Sequence, residues 1–427
     1  MDEAAVVIIG GGPAGAVCAA ALARRGLDVL LVEARAFPRA KVCGEFLSPV
    51  VMPVLSQYVD AQALGAAGAR RVDRLHVYGG GERKLDWPMP RWAWSLSRGA
   101  LDSLLLEHAR ACGANVLQPA TVRQVSYHDD HVQVRLDDRA IRARCVVHAD
   151  GHGRFDPAGA TAARRGVVGL KCHLRLHEPI GNALQLHGFS GPLSLPRETP
   201  GRAGMRVPVD ECGAKMQQTP PVVHEGAHAA LLPGSPHPAS QSLGHPLPGG
   251  EGRAYLGVVS VERGLATAAM VVSHALIKHF DGDHDALLRT VAPSLASARR
   301  QGDWLTCPVA SSWYIRPGHP RSFRIGNAAA AVEPVAGEGI GLAVWSGDLL
   351  GRLLEMDRLG QTQAILGRAY RRRLLLLRPA AAMMAALLAR PWLWAPIAPL
   401  LSRLPGVALR PLYCLSGKSG GTLRVTR

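Results

Sequence analysis

Paired cysteines and other metal-binding patterns are missing from this sequence of 427 residues. Its eight cysteines are scattered and none forms a C-x-x-C pair, which favours free thiols in a reducing compartment. His173 and His177 are four residues apart, but no third ligand lies nearby, so we expect no metal site. The acidic start, Met1-Asp2-Glu3, lacks the basic residues and apolar core of a secretory signal. We therefore expect a cytoplasmic protein.

Acidic residues are absent from Arg358 to Arg427, a tail that carries twelve Arg or Lys of a chain with formal net charge +16. Leucines, methionines and the tryptophans Trp392 and Trp394 interleave with the arginines, which is more typical of a lipid-facing surface than of a nucleic-acid tail. A bilayer-spanning helix needs about 20 apolar residues, and Arg390 and nearby prolines interrupt this run. We expect either peripheral contact with the inner face of the membrane or a helical cap on the core, and no nucleic acid partner.

Regular hydrophobic spacing is missing from residues 190–252, which hold eleven prolines and ten glycines in 63 residues. So long a loop is uncommon inside a compact domain, and this composition is typical of flexible segments. Two interpretations are open. The segment is a flexible insertion between neighbouring strands of a second sheet, or it results from a frame error in the coding sequence.

What the sequence does contain is a dinucleotide-binding fingerprint at its start. A β-branched run, a segment of helical spacing and a second apolar strand follow one another over residues 4–33. Gly10, Gly12 and Gly15 lie at the strand-to-helix turn, where they allow a tight turn, approach of a pyrophosphate and close packing. The helix N-terminus then points its N–H groups at the phosphates. Glu33 follows the second strand, where a carboxylate accepts ribose hydroxyls, so a dinucleotide site is expected with FAD and NAD both open.

Four further stretches resemble motifs of one superfamily and favour FAD. "LSRGALDSLLLEHA", "CVVHADGHGRF" and "RIGNAAAAVEPVAGEGI" are similar, in this order, to the strand-to-helix step, the Asp-Gly motif and the second FAD motif of FAD-dependent aromatic hydroxylases. "PRAKVCGEFLSP" resembles the Lys-x-Cys-Gly segment of the geranylgeranyl reductases in the same superfamily. Together these motifs identify the superfamily more specifically than its reaction.

The resemblance implies a role for individual residues. Arg98 lies near the flavin-side pyrophosphate, while Asp150 and Gly151 support the site from the end of another strand. Asn327 faces the ribityl chain, and the turn at Pro334 leads a helix N-terminus towards the flavin ring, whose reduced form carries negative charge. The full implied cofactor-binding set is Gly10, Gly12, Pro13, Ala14, Gly15, Glu33, Arg98, Asp150, Gly151, Asn327, Pro334, Gly337 and Gly339.

The chain departs from the superfamily pattern at three positions. Asn327 stands where an aspartate is usual, and an amide offers the ribityl chain a hydrogen bond but no carboxylate. Arg154 stands where the Asp-Gly motif continues to a serine, and of the reductases' aromatic Tyr-x-Trp-x-Phe-Pro stretch only Tyr255 is present. Cys43 is the candidate catalytic residue, near the flavin and shaping proton delivery; the alternative is a small buried apolar side chain.

The expected fold class is α/β. It combines a Rossmann-like FAD/NAD(P)-binding domain of the glutathione reductase type, an antiparallel-sheet substrate domain and a helical C-terminal tail. The order of the motifs makes both domains discontinuous. We expect the FAD-binding domain at 1–75, 96–165 and 301–357, the substrate domain at 76–95 and 166–300, and the basic helical tail at 358–427.

The resemblance implies an FAD-dependent oxidoreductase that acts on a hydrophobic small molecule. Because the chain has one nucleotide fingerprint, we expect NADPH or NADH as a transient reductant, which favours a monooxygenase or hydroxylase. One alternative is a reductase of isoprenoid or lipid double bonds, as in the geranylgeranyl reductases. A further alternative, motivated by Asn327 and Arg154, is a degenerate flavin-binding protein without turnover. Trp92 and Trp94 resemble paired tryptophans of flavin halogenases, but they precede Arg98 and lack the Ile-Pro that follows there.

Overall fold

Two sheets with different strand directions organise the structure, a computed structural model that describes residues 2–402 apart from His152 and residues 193–250. In these residues the strands, numbered along the chain, are β1 (Asp2–Ile9), β2 (Val29–Val32), β3 (Phe46–Leu47), β4 (Arg70–Gly79), β5 (Glu82–Ser95), β6 (Asn115–Leu117), β7 (Gln124–Tyr127), β8 (Val132–Arg135), β9 (Ala140–His148), β10 (Ala163–Arg175), β11 (Ala183–Pro192), β12 (Glu251–Ser260), β13 (Ala266–Ser273), β14 (Arg299–Ala310) and β15 (Ser322–Arg324). The α-helices of the same residues are α1 (Pro13–Ala23), α2 (Met52–Leu55), α3 (Ala61–Ala66), α4 (Arg98–Ala111), α5 (His274–His279), α6 (His284–Val291), α7 (Gly339–Leu353), α8 (Leu359–Leu388), α9 (Pro391–Trp394) and α10 (Ala398–Ser402).

The first sheet is mainly parallel, with the strand order β6-β2-β1-β9-β8-β7 and β15 beside β9. β1 pairs in parallel with β2 and with β9, while β7 and β8 form an antiparallel edge. The second half of β1 reads VVII and is buried throughout, as expected for a parallel strand covered on both faces. The carboxyl ends of β1, β2 and β9 therefore meet at one edge, where ligands of open α/β sheets bind.

Helices α1 and α7 pack closely over this sheet because small residues line their contact. A Cβ atom on Gly347 would overlap the carbonyl oxygen of Ala14, and one on Gly351 would overlap the Cβ of Ala21. Helix α1 is buried from Pro13 to Leu22, so its many alanines serve close packing rather than solvent contact. This contact joins the first and last segments of the nucleotide-binding region.

The second sheet has the order β14-β10-β13-β12-β11-β4-β5-β3 and is antiparallel except where β11 runs parallel to β4. Its side chains alternate between two faces. On β10, Leu170, Cys172 and Leu174 join a core with helices α5 and α6. Lys171 and His173 point to the opposite face, towards the first sheet, where they reach Glu45. The face of β10 that meets α5 and α6 is thus apolar, and its opposite face carries buried charge.

This architecture confirms the expected α/β fold class and its helical C-terminal region. It also moves three expected domain boundaries, since the divisions after residues 75, 165 and 300 fall inside β4, β10 and β14. A strand pairs along its length with one sheet, so these strands belong whole to the second sheet. Residues 403–427 of the tail lie outside the described residues.

The irregular segment 190–252 begins and ends in paired strands. β11 and β12 are antiparallel neighbours, with Pro192 opposite Glu251. The two ends of the segment that we expected to be irregular are therefore strand. The rest of it, residues 193–250, lies outside the described residues, and its interpretation as an insertion stays a prediction.

Candidate cofactor site

The turn between β1 and α1 is built against the end of β9. Gly10 has φ +106°, and a Cβ on it would lie 2.6 Å from the carbonyl oxygen of Ala149. A Cβ on Gly15 would overlap the carbonyl oxygen of Gly10, so both positions need glycine. Pro13 opens the helix at a position where a missing N–H costs nothing. The local sequence therefore produces a tight turn whose helix N-terminus faces the edge of the sheet.

Glu33 follows β2 and is held in place by backbone donors. Its side chain is buried and accepts hydrogen bonds from the backbone N–H groups of Gly11, at 2.7 Å, and Arg35, at 2.9 Å. The guanidinium Nε of Arg39 lies 3.7 Å from the same carboxylate. These contacts fix a negative charge beside the glycine turn, where a nucleotide ribose would bind.

Several predicted residues line one cavity of about 200 Å³ at this edge of the sheet. Gly10, Gly12, Glu33 and Asp150 lie in its wall, together with a segment that follows β6, residues 120–122. The wall also includes three basic residues that the motif analysis did not assign: Arg39, Lys41 and Arg154. The cavity thus combines two carboxylates with three basic side chains, which suits an adenosine diphosphate group.

Positive charge converges on Gly12 and Gly151. The buried guanidinium of Arg98 makes two 2.7 Å hydrogen bonds to Asp102, and a Cβ on Gly12 would lie 3.7 Å from its Nη2. A Cβ on Gly151 would lie 3.6 Å from Nζ of Lys41. Burial, reinforced by Arg98 and Arg39, lowers the pKa of Lys41 to about 8. An anionic ligand here would relieve repulsion among these cations.

The second FAD motif follows β15 and leads into α7. Gly326 has φ +58°, and the backbone carbonyl of Asn327 accepts a 3.0 Å hydrogen bond from the Thr161 hydroxyl. A 3₁₀ turn covers Pro334–Ala336, and Gly337 ends it with φ +66°. A Cβ on Gly337 would lie 2.8 Å from the ring of Phe46, and Gly339 begins α7. The motif therefore presents a helix N-terminus beside Phe46.

Cys43 lies beside the arginine of α4. Its half-buried Sγ accepts a 3.4 Å hydrogen bond from the backbone N–H of Glu45 and also contacts the Arg98 guanidinium. The structure therefore places Cys43 beside a predicted cofactor residue. Its role in catalysis stays a prediction.

Glu45 is the functional candidate that the sequence analysis missed. It is fully buried with φ +55°, and its carboxylate accepts hydrogen bonds from Lys171, Thr267 and the backbone N–H of Arg98, the last at 2.7 Å. His173 Nε2 lies 2.9 Å from Oε2 of Glu45. Burial raises the pKa of Glu45, but His173 and Lys171 outweigh it and lower the pKa to about 2. Glu45 thereby ties α4 of the first region to β10 and β13 of the second.

A second buried cluster adjoins the turn at Pro334. The hydroxyl of Tyr255 donates a hydrogen bond to Glu333, which also accepts one from Arg164. Burial and the neighbouring carboxylate raise the pKa of Tyr255 well above its ordinary value, so the phenol stays protonated at neutral pH. In the sequence, Tyr255 stood out only as the remaining residue of an aromatic stretch, and Glu333 had no signal because its partners come from distant strands.

The residues present fit FAD. The carboxylate of Glu33 matches a ribose. The glycine turn and the cations around Gly12 match two phosphates, and the helix N-terminus at Gly339 matches an anionic ring edge. Arg154 stacks 4.7 Å from the centroid of Phe155 and lines the same cavity, so its departure from the usual serine adds a cation near the site. The fold and the site thus define a Rossmann-type FAD-binding protein.

Comparison with known proteins agrees with this class. A family model described as "FAD binding domain" matches residues 3–155. Menaquinone reductase of Mycobacterium tuberculosis (strain ATCC 25618 / H37Rv) is 27% identical over 363 residues, 83% of this chain and 77% of that protein. Tryptophan 2-halogenase of Chondromyces crocatus is 34% identical over 125 residues, 29% of this chain and 24% of that protein.

Solved structures share the fold at low sequence identity. A geranylgeranyl bacteriochlorophyll reductase-like protein of Thermoplasma acidophilum has TM-score 0.69 and 17% identity over 97% of this chain and 96% of that chain. PqsL of Pseudomonas aeruginosa, described as a "probable FAD-dependent monooxygenase", has TM-score 0.66 and 16% identity over 93% of this chain and 99% of that chain. The chain contains an FAD-binding domain and is an FAD-dependent oxidoreductase enzyme, as its motifs predicted.

Proposed function

We propose that this enzyme reduces a carbon–carbon double bond in the isoprenoid chain of a lipid-like substrate, with NADPH or NADH as transient reductant. The observation that carries the proposal is the length of the match to menaquinone reductase. It covers 83% of the chain, so it extends far beyond the FAD-binding match at 3–155 and includes much of the second sheet. The halogenase match, at 29% of the chain, is short enough to fit within the FAD-binding region. Because substrates are selected outside the cofactor loops, the longer match weighs more.

An apolar surface beside the cofactor turn supports this substrate class. On the face of the second sheet that packs on α8, Leu184, Leu186, Val259 and Val271 form one apolar cluster. The cluster includes Phe46 and Val335, which flank the turn from Pro334 to Gly337. An isoprenoid chain offers almost only apolar surface, so this apolar cluster favours binding of such a chain over binding of a polar aromatic acid.

The proposed reaction adds a hydride to one alkene carbon and a proton to the other, with oxidation of one NAD(P)H. Bound FAD would supply the hydride transfer. The chain has to hold the alkene in place and deliver the proton. Two side chains near the site carry a transferable proton. Cys43 adjoins Arg98, and Tyr255 is held in its protonated form beside Glu333. We assign proton delivery to Cys43, because Tyr255 directs its proton to a carboxylate.

The test is anaerobic incubation of the FAD-loaded enzyme with NADPH and a menaquinone that carries an unsaturated polyprenyl chain, followed by mass spectrometry. Gain of two hydrogen atoms in the side chain supports the proposal. A product that gains one oxygen atom, and forms only when O₂ is present, would replace it with the monooxygenase alternative. Absence of bound flavin and of turnover would favour the degenerate protein.

A matched pair of variants tests the residue assignment. Cys43→Ser is expected to lower the rate of side-chain reduction about 10²-fold, the lower end for loss of a positioned proton donor. Cys112→Ser changes another half-buried cysteine, which contacts His108 on α4, and is expected to leave the rate unchanged. Equal rates for the two variants would remove Cys43 from the proton path without touching the proposed reaction.

A further inference from the structure

Exposed large apolar side chains concentrate at one end of the molecule. Among the described residues ten such side chains are exposed, and eight lie within 375–400; Trp92 and Trp313 are the other two. We call the eight the C-terminal apolar face: Leu375, Leu376, Met383, Leu387, Trp392, Leu393, Ile397 and Leu400, with exposed fractions of 42–65%. Single exposed leucines are ordinary, but a contiguous patch marks an interaction site.

Helix α8 is apolar on both sides in its second half. Its buried stripe, Leu374, Leu377, Ala381, Ala385 and Leu388, repeats every three or four residues and packs on the body of the protein. The opposite side is exposed and carries Leu375, Leu376, Ala382, Met383, Ala386 and Leu387. A helix that is apolar all round needs an apolar environment on both sides. The protein supplies it on one side only.

The charges around this face are arranged for an anionic partner. Arg368, Arg371 and Arg372 are exposed on the turns that precede Leu375, and no acidic residue occurs between 358 and 402. About 22 Å of helix separates Arg372 from Leu387. One end of the exposed stripe is therefore basic and the other apolar, so that lipid phosphates would meet the arginines beside an inserted apolar segment.

The arginines inside the apolar segment turn back onto the protein. Arg378 donates a 2.9 Å hydrogen bond to the carbonyl of Ala331 and stacks 4.8 Å from the ring of Trp313. Arg390 donates a 3.0 Å hydrogen bond to the carbonyl of Ala386. Arg378 is thus drawn onto the body of the protein, whereas Arg390 bonds back to its own helix at the end of the exposed stripe.

A sharp bend shapes the face for lying on a surface. Among the described residues no single helix is long and apolar enough to cross a membrane, while the pair Leu359–Leu388 and Pro391–Leu400 passes that test together but is bent by 92°. After the bend, Pro391 and Trp394 pack on β4, since a Cβ on Gly79 would lie 3.2 Å from each. Trp392, Leu393 and Ile397 point outwards.

We propose that the C-terminal apolar face docks this enzyme on an anionic lipid bilayer, with Trp392, Leu393 and Ile397 inserted and Arg368, Arg371 and Arg372 at the headgroups. The end of α8 rests directly on the second sheet, because the carbonyl oxygen of Leu388 occupies the place of a Cβ on Gly188. The bilayer would then lie about one helix diameter, roughly 10 Å, from the sheet that we assign to substrate binding. The docking itself does not depend on which lipid is the substrate.

The test is co-sedimentation of the full-length FAD-loaded protein with vesicles of phosphatidylcholine alone or with an equal part of phosphatidylglycerol. We expect binding to the mixed vesicles at low ionic strength and weaker binding at high ionic strength. Arg371→Gln/Arg372→Gln is expected to reduce binding about thirtyfold, and Trp392→Gln/Ile397→Gln at least tenfold. FAD content checks that each variant is folded.

Two matched variants serve as controls. Arg175→Gln/Arg263→Gln removes two exposed charges elsewhere, and Trp92→Gln removes an exposed tryptophan of the second sheet; both should bind like the unaltered protein. Failure to sediment with the mixed vesicles at low ionic strength, or equal binding by Trp392→Gln/Ile397→Gln, overturns the proposal. So does self-association in the ultracentrifuge that this variant abolishes, since the face would then belong to a second copy.

Discussion

The two sheets of this enzyme build their sites from different parts of the chain. In the first sheet the glycine turn, Glu33 and the start of α7 present backbone N–H groups and one carboxylate, within short sequence motifs. In the second sheet the side chains of Lys171, His173 and Thr267, from two strands, converge on Glu45 of a third segment. The site at the first sheet requires glycines, because a side chain there would overlap the neighbouring backbone. The site at the second sheet requires opposite charges that compensate one another. Removing a partner therefore has different consequences in each.

Among the predicted changes, Glu45→Gln in the second sheet's site should cause the largest loss in the free energy of unfolding. It leaves Lys171 buried without its counter-charge, so we expect a loss of about 3–5 kcal/mol in the free energy of unfolding, measured by urea denaturation at pH 7. Glu45→Gln/Lys171→Met should recover part of the loss. As a control, Glu82→Gln removes an exposed partner of Lys84 and should leave the stability nearly unchanged. A loss from Glu45→Gln no larger than that of the control would contradict a buried charge network.

Gly15→Ala should break the first sheet's site by steric overlap. The added Cβ meets the backbone oxygen of Gly10, so the turn must move, and we expect a loss of about 3 kcal/mol together with purification free of flavin. Flavin absorbance per protein and a thermal melt measure both effects. Gly360→Ala in α8 has open space around its Cβ and should stabilise the protein by up to about 1 kcal/mol. Normal FAD content in Gly15→Ala would show that the turn does not approach the cofactor.

Glu33→Gln tests how much the one carboxylate of the first site contributes to FAD binding. An amide retains one acceptor but loses the charge, so we expect FAD to bind about 10- to 100-fold more weakly, the value of a hydrogen bond to a charged group. Because the motif resemblance places Glu33 at the adenosine half alone, we expect ADP to lose affinity by the same factor. Titration of the apoprotein by flavin fluorescence, and by ADP in competition, measures both. A loss for FAD with none for ADP would place Glu33 elsewhere.

The smallest expected effect is a pH dependence of FAD binding through Lys41. The pKa of Lys41 is lowered to about 8 in the free protein, and an anionic pyrophosphate favours the protonated amine, so its pKa rises on binding. FAD affinity should therefore fall as the pH rises through 8, by about tenfold. Lys41→Gln should bind more weakly at pH 7 and show a flatter profile. An unchanged profile in that variant would assign the dependence to another group.

The difference between contiguous motifs and side chains from distant strands explains which features the sequence could predict. The βαβ unit follows from local spacing, and the turn at Gly337 and the FAD-binding region follow from resemblance to known motifs, since each motif is contiguous in the sequence. Glu45 and Glu333 left no such signal, because their partners lie more than 50 residues away and are identified only once the strands pair. Three of the expected domain divisions fall inside strands for a related reason. Motifs mark where a site begins, whereas strand pairing decides which sheet a residue joins.

The close packing of α1 on α7 has a consequence for how the protein is made. Helix α1 is buried along nearly its whole length, but Gly347 and Gly351, against which it packs, are synthesised more than 300 residues later. At roughly 5–20 residues per second, that interval lasts on the order of tens of seconds. During this time an apolar helix at the start of the chain lacks its partner. Folding of the nucleotide-binding region is thus governed by contacts of high sequence separation, which makes it slow and exposes the nascent chain to aggregation until α7 emerges.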